Sequence, residues 1–99
     1  MHITVDFETY YDDLYSLQHM SMLEYITDPR FKVHMMGVQT GGARFILRPH
    51  EIAAWLTYQE QHRPITIIAQ NAQFDGLILS RHYGFTADRY IDTLSLIHI

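Results

Sequence analysis

Ninety-nine residues make room for one domain, and 47% hydrophobic with 18% charged residues is the composition of a globular chain able to bury a core. The absence of cysteine excludes a disulfide framework and thiolate zinc or iron–sulfur sites, and a formal net charge of −4 argues against a surface that binds phosphates everywhere. Residues 1–6 are not a basic segment leading into a long apolar stretch, and no run approaches the ~20 apolar residues that span a bilayer, so a chain neither secreted nor membrane-embedded is expected.

From His2 to Thr9, Ile3, Val5 and Phe7 alternate with His2, Thr4, Asp6 and Glu8. That is the period of a strand with two unlike faces, and it sends Asp6 and Glu8 to the same side. Residues 10–19 are polar and aromatic without a clear period. Ser21-Met22-Leu23-Glu24 matches a capping box and opens a short helix from Met22 to Thr27, which Pro29 ends. Val33–Thr40 and Ala43–Leu47 are β-prone runs around Gly41-Gly42, whose tolerance of positive φ suits a tight hairpin.

Pro49 precedes a predicted helix over residues 51–62, with Ile52, Trp55 and Leu56 on its buried stripe. Residues 65–69 are a continuous apolar run, as in a strand buried on both faces. Asn71 then caps a helix whose stripe runs through Phe74, Leu77, Ile78 and Arg81, and Gly84 ends it in a left-handed conformation. Residues 89–93 read as a last strand. The predicted class is α/β, a mixed sheet with flanking helices whose late strands join by crossovers.

Asp6-Phe7-Glu8 sets two carboxylates on one face at a strand end, where a divalent cation is the natural compensation for their charge. Asp75, in the first turn of a later helix, can bring a third, and hard oxygen ligands of this kind suit Mg²⁺ or Mn²⁺. Two such ions fit phosphodiester hydrolysis best. Asp-x-Glu alone is common by chance, but joined with Asn71-x-x-Phe74-Asp75 the combination arises in about one chain in a thousand of this composition, enough to carry it forward. The seven histidines show no pair at metal-ligand spacing on one helix, so no zinc site is expected. Tyr10, Tyr11 and Tyr15 read as packing under a loop before stacking on bases, and Arg44, Arg48 and Arg81 are candidates for backbone contacts by charge alone.

Asp6-Phe7-Glu8-Thr9 resembles the first exonuclease motif of the DnaQ-like (DEDD) superfamily of 3′ to 5′ exonucleases, and Asn71-x-x-Phe74-Asp75 the second. Tyr15-Ser16-Leu17, Tyr25-Ile26-x-Asp28-Pro29-Arg30-Phe31 and Asp92-Thr93-Leu94 further resemble the N-terminal exonuclease domains of phage family A DNA polymerases. The resemblance implies an RNase H-like fold, incomplete at the C-terminus, with residues 1–93 as a partial exonuclease domain. It implies Asp6, Glu8 and Asp75 as catalytic ligands of two Mg²⁺ or Mn²⁺ ions, Asp6 bridging them, with Thr9, Asn71 and Phe74 around the 3′ nucleotide.

The implied partners are a single-stranded DNA 3′ end and a polymerase domain in the same full-length chain, in the cytoplasm of a bacterial or phage-infected cell. The third motif of the superfamily, which supplies a fourth carboxylate and a Tyr or His, is expected beyond residue 99, because Asp92 comes too early and in the wrong context to be it. Residues 94–99 also resemble the translation of a sequencing adapter, which would make them a non-native tail. Two rival readings are a stand-alone exonuclease or oligoribonuclease acting on RNA and a noncatalytic nucleic-acid-binding module of the same fold.

Overall fold

The alternation along β1 (His2–Thr9) is realised residue by residue: Ile3, Val5 and Phe7 are buried while His2, Thr4, Asp6 and Glu8 face solvent. In the computed structural model, which describes residues 1–94 and the backbone of Ile97 and His98, β1 lies at the centre of a mixed sheet. A first helix, α1 (Met22–Thr27), follows β1, with Ser21 and Glu24 closing the expected capping box reciprocally. The strands β2 (Val33–Thr40) and β3 (Ala43–Leu47) form the hairpin at one edge. Gly41 and Gly42 at its tip have φ of 55° and 80°, two successive positive values that match the right-handed twist of the flanking strands.

Helix α2 (Pro49–Gln59) leads to β4 (Thr66–Ala69), parallel to β1, and helix α3 (Ala72–Tyr83) leads to β5 (Arg89–Asp92), parallel to β4. A two-residue strand, β6 (Ile97–His98), completes the order β3-β2-β1-β4-β5-β6. Ser95, Leu96 and Ile99, half of the expected tail, lie outside the described residues.

Both crossovers step the same way along the sheet, so right-handed connection puts α2 and α3 on the same face. Trp55 of α2 packs edge-on against Phe45 at 5.7 Å, and Tyr83 of α3 stacks on Phe7 at 6.2 Å. Ile3, Val5, Val38, Met36, Ile67, Ile52, Leu56, Ile78 and Leu79 make up the core between. No described helix covers the opposite face, which carries Thr4, Asp6, Glu8, Gln39, Arg44 and Ile46, all exposed. None of the helices is long and apolar enough to cross a membrane.

The structure moves several expected boundaries. Helix α2 starts at Pro49, because a proline at the first position needs no N–H, and it gives way after Gln59 to a 3₁₀ turn over Glu60–His62. The strands β4 and β5 are each one residue shorter than predicted. The buried stripe of α3 is Ala72, Asp75, Ile78 and Leu79, with Phe74 and Leu77 half-buried and Arg81 exposed. Hydrophobicity alone pointed to Phe74; Gly76, two residues on, faces Tyr90 of β5, whose ring lies 3.3 Å from the position a Cβ would take.

Candidate metal centre

The three predicted carboxylates come from two elements that meet at the C-terminal ends of the parallel strands. On β1, Asp6 and Glu8 stand on the open face, opposite Gly37 and Met35 of β2. Gly37 leaves the flank of Asp6 free of any side chain, and a depression of about 280 Å³ lined by Thr4, Asp6, Gln39 and Arg44 opens there. On the other side, β4 ends at Ala69, level with Val5, so it cannot supply a partner for the backbone of Phe7. Asp75 takes that place, with its Oδ1 accepting the Phe7 N–H at 3.3 Å. The third carboxylate therefore lies against the peptide that joins Asp6 to Phe7.

Helix α3 is aimed there by its cap. Asn71 accepts the Phe74 N–H at 3.4 Å, and Gly84, with φ of 63°, closes the far end, where Phe85 N–H returns to Leu79 O. Asn71 thus serves as the expected cap while staying exposed at the rim. Phe74 is half-buried and tilted against Tyr25 at 6.0 Å, so packing occupies most of its ring. Thr9 is engaged as well: its hydroxyl exchanges a 2.9 Å hydrogen bond with Tyr25, whose own hydroxyl donates to Tyr10 O. Tyr15 is fully buried and stacked on Tyr25 at 4.6 Å, Tyr10 is stacked beside it, and Tyr11 is left exposed. The packing expectation holds for Tyr10 and Tyr15, and Tyr11 alone is free.

Burial first, and the Asp6 and Asp92 carboxylates with it, raise the Asp75 carboxyl to about 7 against the pull of the Phe7 N–H. Asp92, set aside in the sequence as no ligand of the third motif, is 9% exposed at the end of β5, where its Oδ1 accepts Leu94 N–H. The two charged groups that act on Asp75, Asp6 and Asp92, are both negative. Oxygen donors with no basic partner fit Mg²⁺ or Mn²⁺. Among the described residues no three acidic or histidine side chains converge tightly enough to enclose an ion by themselves.

Sequence reasoning missed His34. The register runs Glu8↔Met35 and then Thr9↔Val33, so His34 has no opposite residue and forms a β-bulge directly across from Glu8 and Thr9. No local pattern marks it, because a bulge is a property of the pairing. Compared with protein-family models, with curated proteins and with solved structures, the chain matches none of them.

Proposed function

We propose that the chain is the metal-binding part of a 3′ to 5′ exonuclease domain with an RNase H-like fold, which in its polymerase removes mispaired 3′ nucleotides from single-stranded DNA ends. The observation that supports this reading is the 3.3 Å bond from Phe7 N–H to Asp75 Oδ1, which brings two motifs 68 residues apart into contact. Asp6, Glu8 and Asp75 would hold Mg²⁺ or Mn²⁺, and two such ions when bound activate a water and stabilise the leaving oxygen. In the reaction the water oxygen joins phosphorus and the bond to the 3′ oxygen breaks. A nucleoside 5′-monophosphate leaves, and the shortened strand keeps a 3′ hydroxyl.

The residues of this chain contribute orientation and charge. The Phe7 N–H fixes the direction of Asp75, the solvent-facing Asp6 and Glu8 leave the open face accessible to a strand, and Asn71 sets the start of α3. Thr9 and Phe74, through Tyr25, hold the wall next to the carboxylates. The resemblance adds a fourth carboxylate and a water-positioning Tyr or His from a third motif that is not found within residues 1–99, and a polymerase domain as partner.

The test is Mn²⁺ titration of the chain followed by the paramagnetic resonance of free ion. Asp6→Ala should lower Mn²⁺ affinity at least tenfold while leaving the fold intact, since it removes a ligand and no core packing. Unchanged affinity in Asp6→Ala and Asp75→Asn alike overturns the reading. With a 3′-labelled oligonucleotide, the domain extended by a third motif should release labelled mononucleotide, and Asp6→Ala should abolish that release.

A further inference from the structure

The bulge that singles out His34 also re-aims it. Bulges beside functional sites turn one side chain away from the ladder, and this one brings the His34 ring to 6.4 Å from Tyr10, edge-on, at the same end of the sheet as the carboxylates. Arg48 arrives at that corner from the next strand, immediately after β3. Together with Met35 and Ile46 the two basic side chains line a depression of about 330 Å³. Met35 is the cross-strand partner of Glu8, so the depression begins one strand spacing, ~5 Å, from the strand that carries Asp6 and Glu8.

Arg48 is set up to stay there and remain available. Its backbone N–H is held by Glu51 Oε1 at 2.8 Å, while its exposed guanidinium forms no ion pair among the described residues. Arg30 and Arg63, by contrast, are committed to Asp28 and to Glu60 with Asp88. Arg44, Arg81 and Arg89 likewise form no ion pair among the described residues, and what sets Arg48 apart is that it shares a depression with His34 at the end of the sheet where Asp6 and Glu8 stand. A polyanionic strand reaching the carboxylates needs cations along its path, because cations on phosphates supply most of the affinity for nucleic acid.

We propose that Arg48 and His34 form a phosphate-binding corner that holds the backbone of the substrate strand beside the carboxylate cluster, at a phosphate other than the one being hydrolysed. The proposal rests on the exonuclease reading for its substrate. The planar guanidinium grips two phosphate oxygens at once, and the imidazole donates a further hydrogen bond. Both are positioning residues, because neither stands among the carboxylates that would hold the ions.

The experiment measures binding of a 5′-fluorescent oligothymidylate to the chain by anisotropy, in EDTA to prevent turnover, across a series of salt concentrations. Arg48→Ala should weaken binding roughly threefold to tenfold and make the log–log salt slope shallower by about 0.7, the loss of one contact to a single strand. His34→Gln should weaken binding less and leave the slope near its original value. Arg48→Lys should keep the slope and lose part of the affinity. Arg89→Ala removes the same charge from the start of β5, at the far end of the sheet, and should leave binding within twofold.

Equal losses in Arg48→Ala and Arg89→Ala, or no binding by the unaltered chain, overturn the corner. Mn²⁺ affinity separates the two proposals. If Asp6→Ala lowers it as expected while Arg48→Ala leaves oligonucleotide binding untouched, the corner falls and the metal centre stands. If Mn²⁺ is not bound but oligonucleotide binding depends on Arg48, the corner stands and the nuclease reading falls. Unfolding midpoints in urea, expected to be unchanged because Arg48 and His34 are exposed, guard against a folding artefact.

Discussion

The two faces of the sheet are made from the same strands and are chemically opposite. Along β1 the odd positions, Ile3, Val5 and Phe7, disappear beneath α2 and α3, and the even positions, Thr4, Asp6 and Glu8, stand in solvent. The pleat turns one octapeptide into a core wall on one side and a charged platform on the other. The two functions can therefore be changed independently, except at Asp75. That carboxylate belongs to the buried stripe of α3 yet reaches into the plane of the sheet beside Asp6. At this one residue the buried and the charged side of the sheet are coupled, and burial of the carboxylate is unfavourable to its charged form.

The comparison is sharpest at adjacent positions of one strand. Ile3 is fully buried and its neighbour Thr4 is exposed. Ile3→Ala should cost about 3 to 4 kcal/mol, by lost transfer energy and the cavity left behind, and Thr4→Ala less than about 0.5 kcal/mol. Urea unfolding measures both, and similar costs at the two positions would break the assignment of faces.

The next effect concerns Asp75, where the sign is unusual for a carboxylate. Its folded pKa, about 7, lies above the ordinary 3.8 of the group, so between these values the folded chain binds a proton that the unfolded chain has released. Stability from this group is present below about pH 4 and is lost as pH rises to about 7. Asp75→Asn keeps an oxygen for the Phe7 N–H and has no charge to bury. It should raise stability at pH 8 by on the order of 2 kcal/mol relative to the unaltered chain and little at pH 4. Thermal unfolding at the two pH values checks this, and an equal effect at both would mean that Asp75 is not titrating in this window. Saturating Mn²⁺ should narrow the gap at pH 8, because the ion compensates the buried charge.

The smallest effect is at the cap that aims α3. Asn71→Ala removes the acceptor for Phe74 N–H and should cost about 1 kcal/mol. Asn71→Asp restores an acceptor at the helix's positive end but adds charge near the carboxylates. A loss of Mn²⁺ affinity in Asn71→Ala without a loss of stability would assign Asn71 to the site, and a loss of stability alone would leave it as a cap.

Much of the molecule is governed by short-range rules and is readable in the sequence for that reason. The period of two in residues 2–9 determines which side Asp6 and Glu8 occupy, since strand geometry permits no other arrangement once Ile3, Val5 and Phe7 are buried. Ser21 and Glu24 start α1, Asn71 and Gly84 bound α3, and Gly41-Gly42 turns the hairpin, each through hydrogen bonds or dihedral angles within a few residues.

What the local pattern could not determine depends on contacts between distant residues. Asp75 meets Phe7 because β4 stops level with Val5 and leaves that N–H uncovered, and because α3 packs on the side that handedness dictates. The stripe of α3 passes through Asp75 rather than Phe74 where the helix packs on the sheet, with Gly76 facing Tyr90, and Asp92 is buried at the end of β5. His34 faces outward because of an extra residue in the pairing of β1 with β2, and Arg48 stands beside it only because the hairpin folds β3 back to the same end. Local sequence specifies elements and their faces. Which side chains from different elements meet is decided by register, crossover hand and close packing, and these are properties of the folded whole.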